Sequence, residues 1–471
     1  MSPILRICIL FVLFWNDKCI NSSASLRGVP EWDLLFQKKS NQHQSFSGSP
    51  PIHPPRPGIS NPLPPGGLSK SPSSKLPPSN SEHTPLAVVD SDAAFTLYHG
   101  RNFKVIQNLI FNFSYLLIQQ GGDPGARDWN VNISVFQDPL VNFTLNTNSV
   151  VGFLELLGCA SKLRGVPATF GSASTCVSQL IVQGTIPTFE LEGDLFDHDS
   201  STAKPAFQAL LGSSNEESNL QNQSNFISFD AWSDRGPLQR AEWIKFLASF
   251  FDMEERANDV YNKIQSNYQC LNASSKGINI SKPSVAWMTY SMASGIWTFS
   301  KESFKLQLIS DAGGLNLDSY NMPSYFNMSI QSDVDVFHSV ISSLDVVIDE
   351  THSTDPSEYT LDNVLASANI TDSSNFSFLA NKRLWRYDKR VGINNALDWT
   401  EGALAQPQIV LHDLIEVLYP SPDGGILDIT YFRNIANGES VVNSTLAACP
   451  RTDLTSPLVP PNVFLHFHQS S

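Results

Sequence analysis

The sequence predicts an α/β protein of two lobes, each a mostly parallel sheet covered by helices, with one long helix joining them. Three observations carry this expectation. Short strand-like apolar runs alternate with amphipathic helical runs through both halves of the chain, the pattern of helices covering a parallel sheet. The longest helix-like run, RAEWIKFLASFFDMEERANDVYNKIQSNYQCL at residues 240 to 271, stands between those halves. The 471 residues are 41% hydrophobic, enough for one large or two medium cores.

Taken in order, the chain opens with a run from Ile4 to Trp15 that is apolar except for Arg6, followed by small residues at Ser22 to Ser25. The run is too short to span a bilayer as a helix and reads as a cleavable secretory signal over residues 1–25. Residues 26–86, with SPPIHPPRPGISNPLPPGGLSKSPSSKLPP, are a Pro/Ser-rich linker that cannot bury a core. A first α/β lobe is expected over 87–236. There FKVIQNLIFNFSYLLIQQGG and VNISVFQDPLVNF read as apolar runs, and Asn148 or Ser149 caps a helix that Gly158 stops. LIVQGTIPTFE and NFISFDAW read as short strands.

The connector covers 237–272. Pro237 opens a first helix, and Asp252 with Glu255 forms a capping-box pattern for a second. A second lobe over 273–449 begins with the strand PSVAWMTYS. It continues with SFKLQLISDAGG, stopped by Gly313-Gly314, then a helix leading into a buried strand at Val346 to Ile348, the strand RLWRYDKRV and the amphipathic helix QPQIVLHDLIEVLYP. Residues 450–471 form a tail.

The formal charge of −15 contains no basic block, which argues against a nucleic-acid partner. Sequons at Asn112, Asn132, Asn142, Asn222, Asn272, Asn279, Asn327, Asn369, Asn375 and Asn443 mark candidate glycosylation sites. With the signal segment they place the chain outside the cell or in the cell wall. Four cysteines follow the signal and suit an oxidising compartment. Of their three pairings, Cys159–Cys176 and Cys270–Cys449 are expected; no CxxC spacing favours a metal site.

The collinear order of FLELLG, EERANDVYNKIQSNY, PSVAW with DAGG, SLDVVID and PQIVLHDLIEVLYP resembles the helical-backbone (class III) periplasmic solute-binding proteins, the iron-siderophore and cobalamin receptors of ABC importers. The resemblance covers roughly residues 87 to 450. It implies a ligand held between two lobes, a small molecule such as a metal chelate or corrinoid, a monomer, no cofactor and no enzymatic activity. Because one continuous helix is stiff, closure should be small and the cleft largely formed before a rigid, bulky ligand arrives.

In open α/β sheets ligands sit beyond the carboxyl ends of strands. That nominates Asn148, Ser149, Ser174, Thr175, Asp230 and Trp232 in the first lobe, and Tyr290, Trp297 and Trp399 in the second. Each of these aromatics serves core packing equally well. The family docks its transporter through a glutamate on each lobe; Glu192 and Asp335 lie nearest those places. The long linker and the sequons depart from the bacterial pattern and point to a eukaryotic-type secreted member, for which a cognate importer does not follow from the resemblance; the candidate partners are the cell wall or a membrane transporter. The alternative function is an extracellular scaffold that keeps the fold without ligand, its cleft filled by its own chain.

Hydrolytic chemistry finds no support. GSAST lacks the nucleophile-elbow spacing, and Asp398 with Glu401 read as a surface capping pair. Asp197-His198-Asp199 reads as a solvated acidic loop rather than a metal site.

Overall fold

The computed structural model describes residues 89, 92–119, 122, 133–189, 207–214, 223–278, 281–317, 323–420, 429–444, 449 and 456–463. The signal segment, the linker, Glu192 and the Asp197–Asp199 cluster lie outside these residues.

The first lobe begins with β1 (Phe95–His99), β2 (Phe103–Asn108), β3 (Phe113–Gln119) and β4 (Ile133–Asp138), a four-stranded sheet in sequential order. Next come β5 (Phe143–Leu145), α1 (Val151–Leu157), β6 (Leu163–Pro167), α2 (Thr175–Val182), β7 (Thr188–Phe189), β8 (Ala209–Gly212) and β9 (Phe226–Ser228). Their strands form a parallel sheet of order β7-β6-β5-β8-β9. Helix α3 (Pro237–Ala248) is buried on nearly every side, including Arg240, Glu242 and Lys245, of which Lys245 pairs with Glu242 at 2.7 Å. Trp243, Phe246 and Phe250 meet Phe95, Tyr115 and Phe136 edge-on, in the favoured geometry for ring quadrupoles.

Helix α4 (Glu254–Lys276) is the long run expected from the sequence. At 1.5 Å per residue its 23 residues extend about 35 Å. Ala257, Val260, Tyr261 and Ile264 enter the first lobe's core, whereas Tyr268 and Leu271, on the same face, enter the second's. One helical stripe thus serves two separate cores, which is what makes it a spine.

The second lobe contains β10 (Ser284–Ser291), β11 (Ile296–Phe299), α5 (Ser303–Asp311), β12 (Leu315–Asn316), β13 (Tyr325–Asn327), α6 (Gln331–Ile341), β14 (Val346–Asp349), α7 (Leu361–Ser367), α8 (Ser377–Ala380) and β15 (Leu384–Arg386). It is completed by β16 (Arg390–Val391), α9 (Gly402–Ala405), α10 (Pro407–Leu418), β17 (Arg433–Asn434) and β18 (Val442–Asn443). The main sheet runs β13-β11-β10-β14-β15-β17, with β12 added beside β10. Its β10, β14 and β15 are parallel, and Val346, Val347 and Ile348 are buried at their centre. Among the described residues the lobes share no sheet, in agreement with the expected fold class.

Three local readings are corrected. Thr147, not Asn148 or Ser149, caps the turn that leads into α1. The Asp252/Glu255 capping box does not form. Asp252 takes a left-handed φ of 58° and, like Glu254, turns to Lys104, a buried cation that also pairs with Asp138 at 2.8 Å. Leu180–Val182, expected within the strand LIVQGTIPTFE, are instead the end of α2, and β7 begins at Thr188.

Candidate interlobe site

The chain leaving β6 passes through Gly171, Ser172, Ala173 and Ser174 before α2 begins. Ser174 caps that helix, accepting from the amide of Val177 at 3.2 Å. The amides just before a helix lack intrahelical partners and must find an acceptor. Here the acceptor comes from the other lobe. Glu401 Oε1 accepts from the Ala173 amide at 2.8 Å, and its Oε2 accepts from Ser172 Oγ at 3.0 Å and the Ser174 amide at 3.2 Å. Burial pushes the Glu401 carboxyl well above the usual carboxylate range; Asp398 and Glu155 push the same way, and the donors of Ala173 and Ser172 oppose them.

The backbones of the two lobes also touch. The Ile393 amide donates to the Ser172 carbonyl at 3.0 Å, and Asn394 Nδ2 donates to the Phe170 carbonyl at 2.8 Å. A Cβ on Gly392 would lie 1.8 Å from the Ser172 carbonyl oxygen. One on Gly152 would lie 2.6 Å from the Glu401 carbonyl oxygen, and one on Gly171 2.9 Å from that of Ile393. The seam therefore closes at backbone distance.

Beside this seam lies a cavity of about 260 Å³ with walls from both lobes. Glu155, Ser174 and Thr175 come from the first lobe, and Arg390, Asp398, Gln406 and Tyr431 from the second; Leu458 and Pro461 of the tail close part of it. Arg390 Nε lies 3.1 Å from Asp398 Oδ2, and Asp398 Oδ1 accepts from the Gly402 amide at 3.1 Å. Asp398 is thus a capping residue as expected, but the pair is not on the surface: Glu401 is 1% exposed. Gln406 is 7% exposed, and its buried Oε1 has no hydrogen-bond partner among the described residues.

Further along the interface the Arg240 guanidinium lies 3.4 Å from the Phe304 ring centre and 5.1 Å from that of Trp232. Burial lowers its pKa to about 10, against the pull of Glu302, Asp234 and Glu350. The void here is about 20 Å³, room for roughly one water. Lys305 pairs with Glu350 and Glu302, and burial raises the Glu350 carboxyl to about 6.

Of the nominated residues, Ser174 and Thr175 line the larger cavity. Trp232 and Trp399 line the small void; Trp399 is buried against Trp287 and Phe432. Asn148 is half-buried and Ser149 buried beside Thr147, outside the lining of both spaces. Asp230 is consumed by structural bonds from Asn108 and the Ser214 amide. Tyr290 is half-buried and rests on Trp297. Trp297 is fully buried, stacks on Phe337 and donates to the Ser367 carbonyl, so it belongs to the second lobe's core.

The expected disulfides are corrected. Cys176 bonds Cys449, whereas Cys159 is a free thiol buried beside Met253. Cys270 is disulfide-bonded, though not to Cys449. Among the sequons, Asn112, Asn369, Asn375 and Asn443 are exposed, and Asn142, Asn272 and Asn327 are half-buried. Asn272 Nδ2 donates to Asp311 at 3.1 Å, which makes it a poor acceptor for sugar. Asn132, Asn222 and Asn279 lie outside the described residues. Asp335 is exposed on α6, where its Oδ1 accepts from Gln331.

No protein-family model and no curated protein matches the sequence. Solved structures similar to it include a periplasmic heme-binding protein, HutB, of Vibrio cholerae, at 17% identity over 59% of this chain and 99% of that one, with a TM-score of 0.42. Petrobactin-binding protein YclQ of Bacillus subtilis shares 11% identity over 61% and 94%, with a TM-score of 0.43. A periplasmic heme-binding protein of Pseudomonas aeruginosa shares 15% over 60% and 94%, with a TM-score of 0.39. At these scores the likeness carries no argument about ligand. Among the described residues no helix is long and apolar enough to cross a membrane.

Proposed function

We propose that the chain is an exported binding protein that holds a small polar solute between its lobes. The observation that carries this reading is the 260 Å³ cavity bounded by hydrogen-bonding side chains of both lobes. An apolar cavity of about 150 Å³ accepts benzene, and ligand pockets run from about 300 to 1,000 Å³. The space therefore suits a molecule somewhat larger than benzene. A siderophore complex or corrinoid, the bulky ligand expected from the sequence, does not fit the closed seam. Glu401 and Asp398 are engaged by backbone donors, so the acids of the site serve closure and recognition rather than catalysis.

The scaffold reading is favoured by a different observation, the direct bonding of Ser172–Ser174 to Ile393 and Glu401 across the cleft. Native mass spectrometry of protein purified from its own host separates the two. A small molecule that travels with the wild type and is lost from Gln406→Trp, whose ring fills the cavity, supports binding. Protein that carries nothing, with a Gln406→Trp variant as stable as wild type, supports the scaffold.

A further inference from the structure

Strand β13 ends the main sheet of the second lobe, with no strand on its outer side among the described residues. Successive residues of a strand point to opposite faces. Phe326 enters the core, so Tyr325 and Asn327 share the other face, about 7 Å apart along the strand. That face is open. Tyr325 is 65% exposed, Thr298 beside it on β11 is exposed, and Ile296, opposite Asn327, is half-buried. A bare ring at a sheet edge is a liability, because the outer backbone groups of the edge can pair with another chain.

Asn327 heads the sequon Asn327-Met328-Ser329. Its Oδ1 accepts from the Ser329 amide at 2.9 Å, and its own amide donates to Asp333 Oδ2 at 3.0 Å. Its Nδ2 makes no hydrogen bond among the described residues. The side chain is thus held by its oxygen, with its nitrogen unengaged. Three other sequons differ: Nδ2 donates to Asp311 in Asn272, to the Met328 carbonyl in Asn369 and to Asp372 in Asn375. Asn327 is also set apart by the aromatic residue two positions before it. The sequons at Asn112, Asn142 and Asn443 have Ile110, Leu140 and Val441 there.

We propose that Asn327 is N-glycosylated and that its first sugar lies on the Tyr325 ring. The sugar comes from a lipid-diphosphate-linked oligosaccharide. Nδ2 forms a bond to the anomeric carbon as the bond from that carbon to the diphosphate oxygen breaks; one Nδ2 proton passes to solvent and the lipid diphosphate leaves. The C–H bonds on one face of a pyranose carry slight positive charge, and an aromatic face is negative. Tyr325, one strand repeat away on the same open face, is within reach of a sugar on Nδ2. The sugar then covers both the ring and the edge beside it.

The inference rests on export through a compartment that attaches such oligosaccharides and uses nothing of the interlobe cavity, so it and the proposed function fail separately. The full chain is purified from its own host, and its glycans are trimmed to the first sugar with an endoglycosidase. Mass spectrometry of the peptide that holds Asn327 should find the sugar on it. In hydroxyl-radical footprinting Tyr325 should then oxidise at least about twofold more slowly than in Ser329→Ala, because one of the two faces of the ring is covered. Ser329→Ala removes the sequon and keeps the backbone amide that holds Asn327. Tyr419, half-buried at the end of α10, serves as the internal standard. Asn327 found without sugar in the purified protein overturns the proposal. So does a sugar that leaves the Tyr325 rate equal to that of Ser329→Ala.

Discussion

Glu401→Ala removes the acceptor for three buried donors of the opposite lobe, the amides of Ala173 and Ser174 and the hydroxyl of Ser172. A buried donor left without a partner costs about 1–3 kcal/mol. Water from the adjoining cavity reaches the vacated space, so the low end applies to each, and the expected loss is about 3 kcal/mol. Glu401→Gln keeps a carbonyl oxygen in place and should lose about 1 kcal/mol at pH 5, a typical single hydrogen bond. The folded carboxyl has its pKa raised above the unfolded value, chiefly by burial. The stability it lends is full below the ordinary carboxylate value and is lost as pH rises through the raised one. Glutamine never ionises, so its deficit should shrink, or change sign, between pH 5 and pH 8. Urea unfolding followed by tryptophan fluorescence at the two pH values measures both variants. A glutamine deficit that widens with pH would refute the reasoning, because it would mean that the donors hold an ionised carboxylate.

Three further outcomes are expected. Gly392→Ala forces a methyl group against the backbone of Ser172 and Ala173, and should lower stability by at least the 1–3 kcal/mol typical of overpacking and speed exchange of the Ile393 amide. Trp297→Ala should cost about 3–5 kcal/mol in thermal or urea unfolding, as core rings do; an unchanged midpoint would place the ring outside the core. Glu350, held at about 6 by burial beside Lys305, lends stability that is complete below the ordinary carboxylate range and lost as pH climbs through 6. Glu350→Gln should therefore flatten the stability profile from about pH 4.5 to 7, and an unaltered profile would count against that assignment.

The spine was legible because its signal is long. Apolar residues recur at three- and four-residue spacings from Ala257 to Leu271, about four turns. The buried strand at Val346 and the stop at Gly313-Gly314 were legible for the same reason, each being specified by its own few residues. What failed was anything decided by a distant partner. The Asp252/Glu255 pattern is a sound local cap, but Lys104 lies buried nearby and recruits Asp252 and Glu254 together with Asp138. The cysteines failed likewise. Cys159 and Cys176 are close in sequence, yet Cys176 bonds Cys449, 273 residues away. Trp297 was nominated by the rule that ligands sit beyond strand ends, whereas it lies within β11, and strand alternation puts it on the inner face between Tyr290 and Phe326.

The start of α2 was found by a general rule about strand ends, but its partner was not. Glu401 stands three residues after Asp398 and looks like half of a surface pair, and nothing in its neighbourhood says that it reaches another lobe. The glycines hold the missing signal. Gly152, Gly171 and Gly392 do not need a left-handed backbone; they need space, because on each of them a side chain would strike the opposite lobe. Residues chosen on both sides for backbone-to-backbone approach mean that closure is written into the chain rather than imposed by a ligand. A large ligand would have to break the Ser172–Ile393 contact and the Glu401 bonds together. A small one need displace only the contents of the cavity, and under the proposed function that difference in cost favours a small solute over a bulky one.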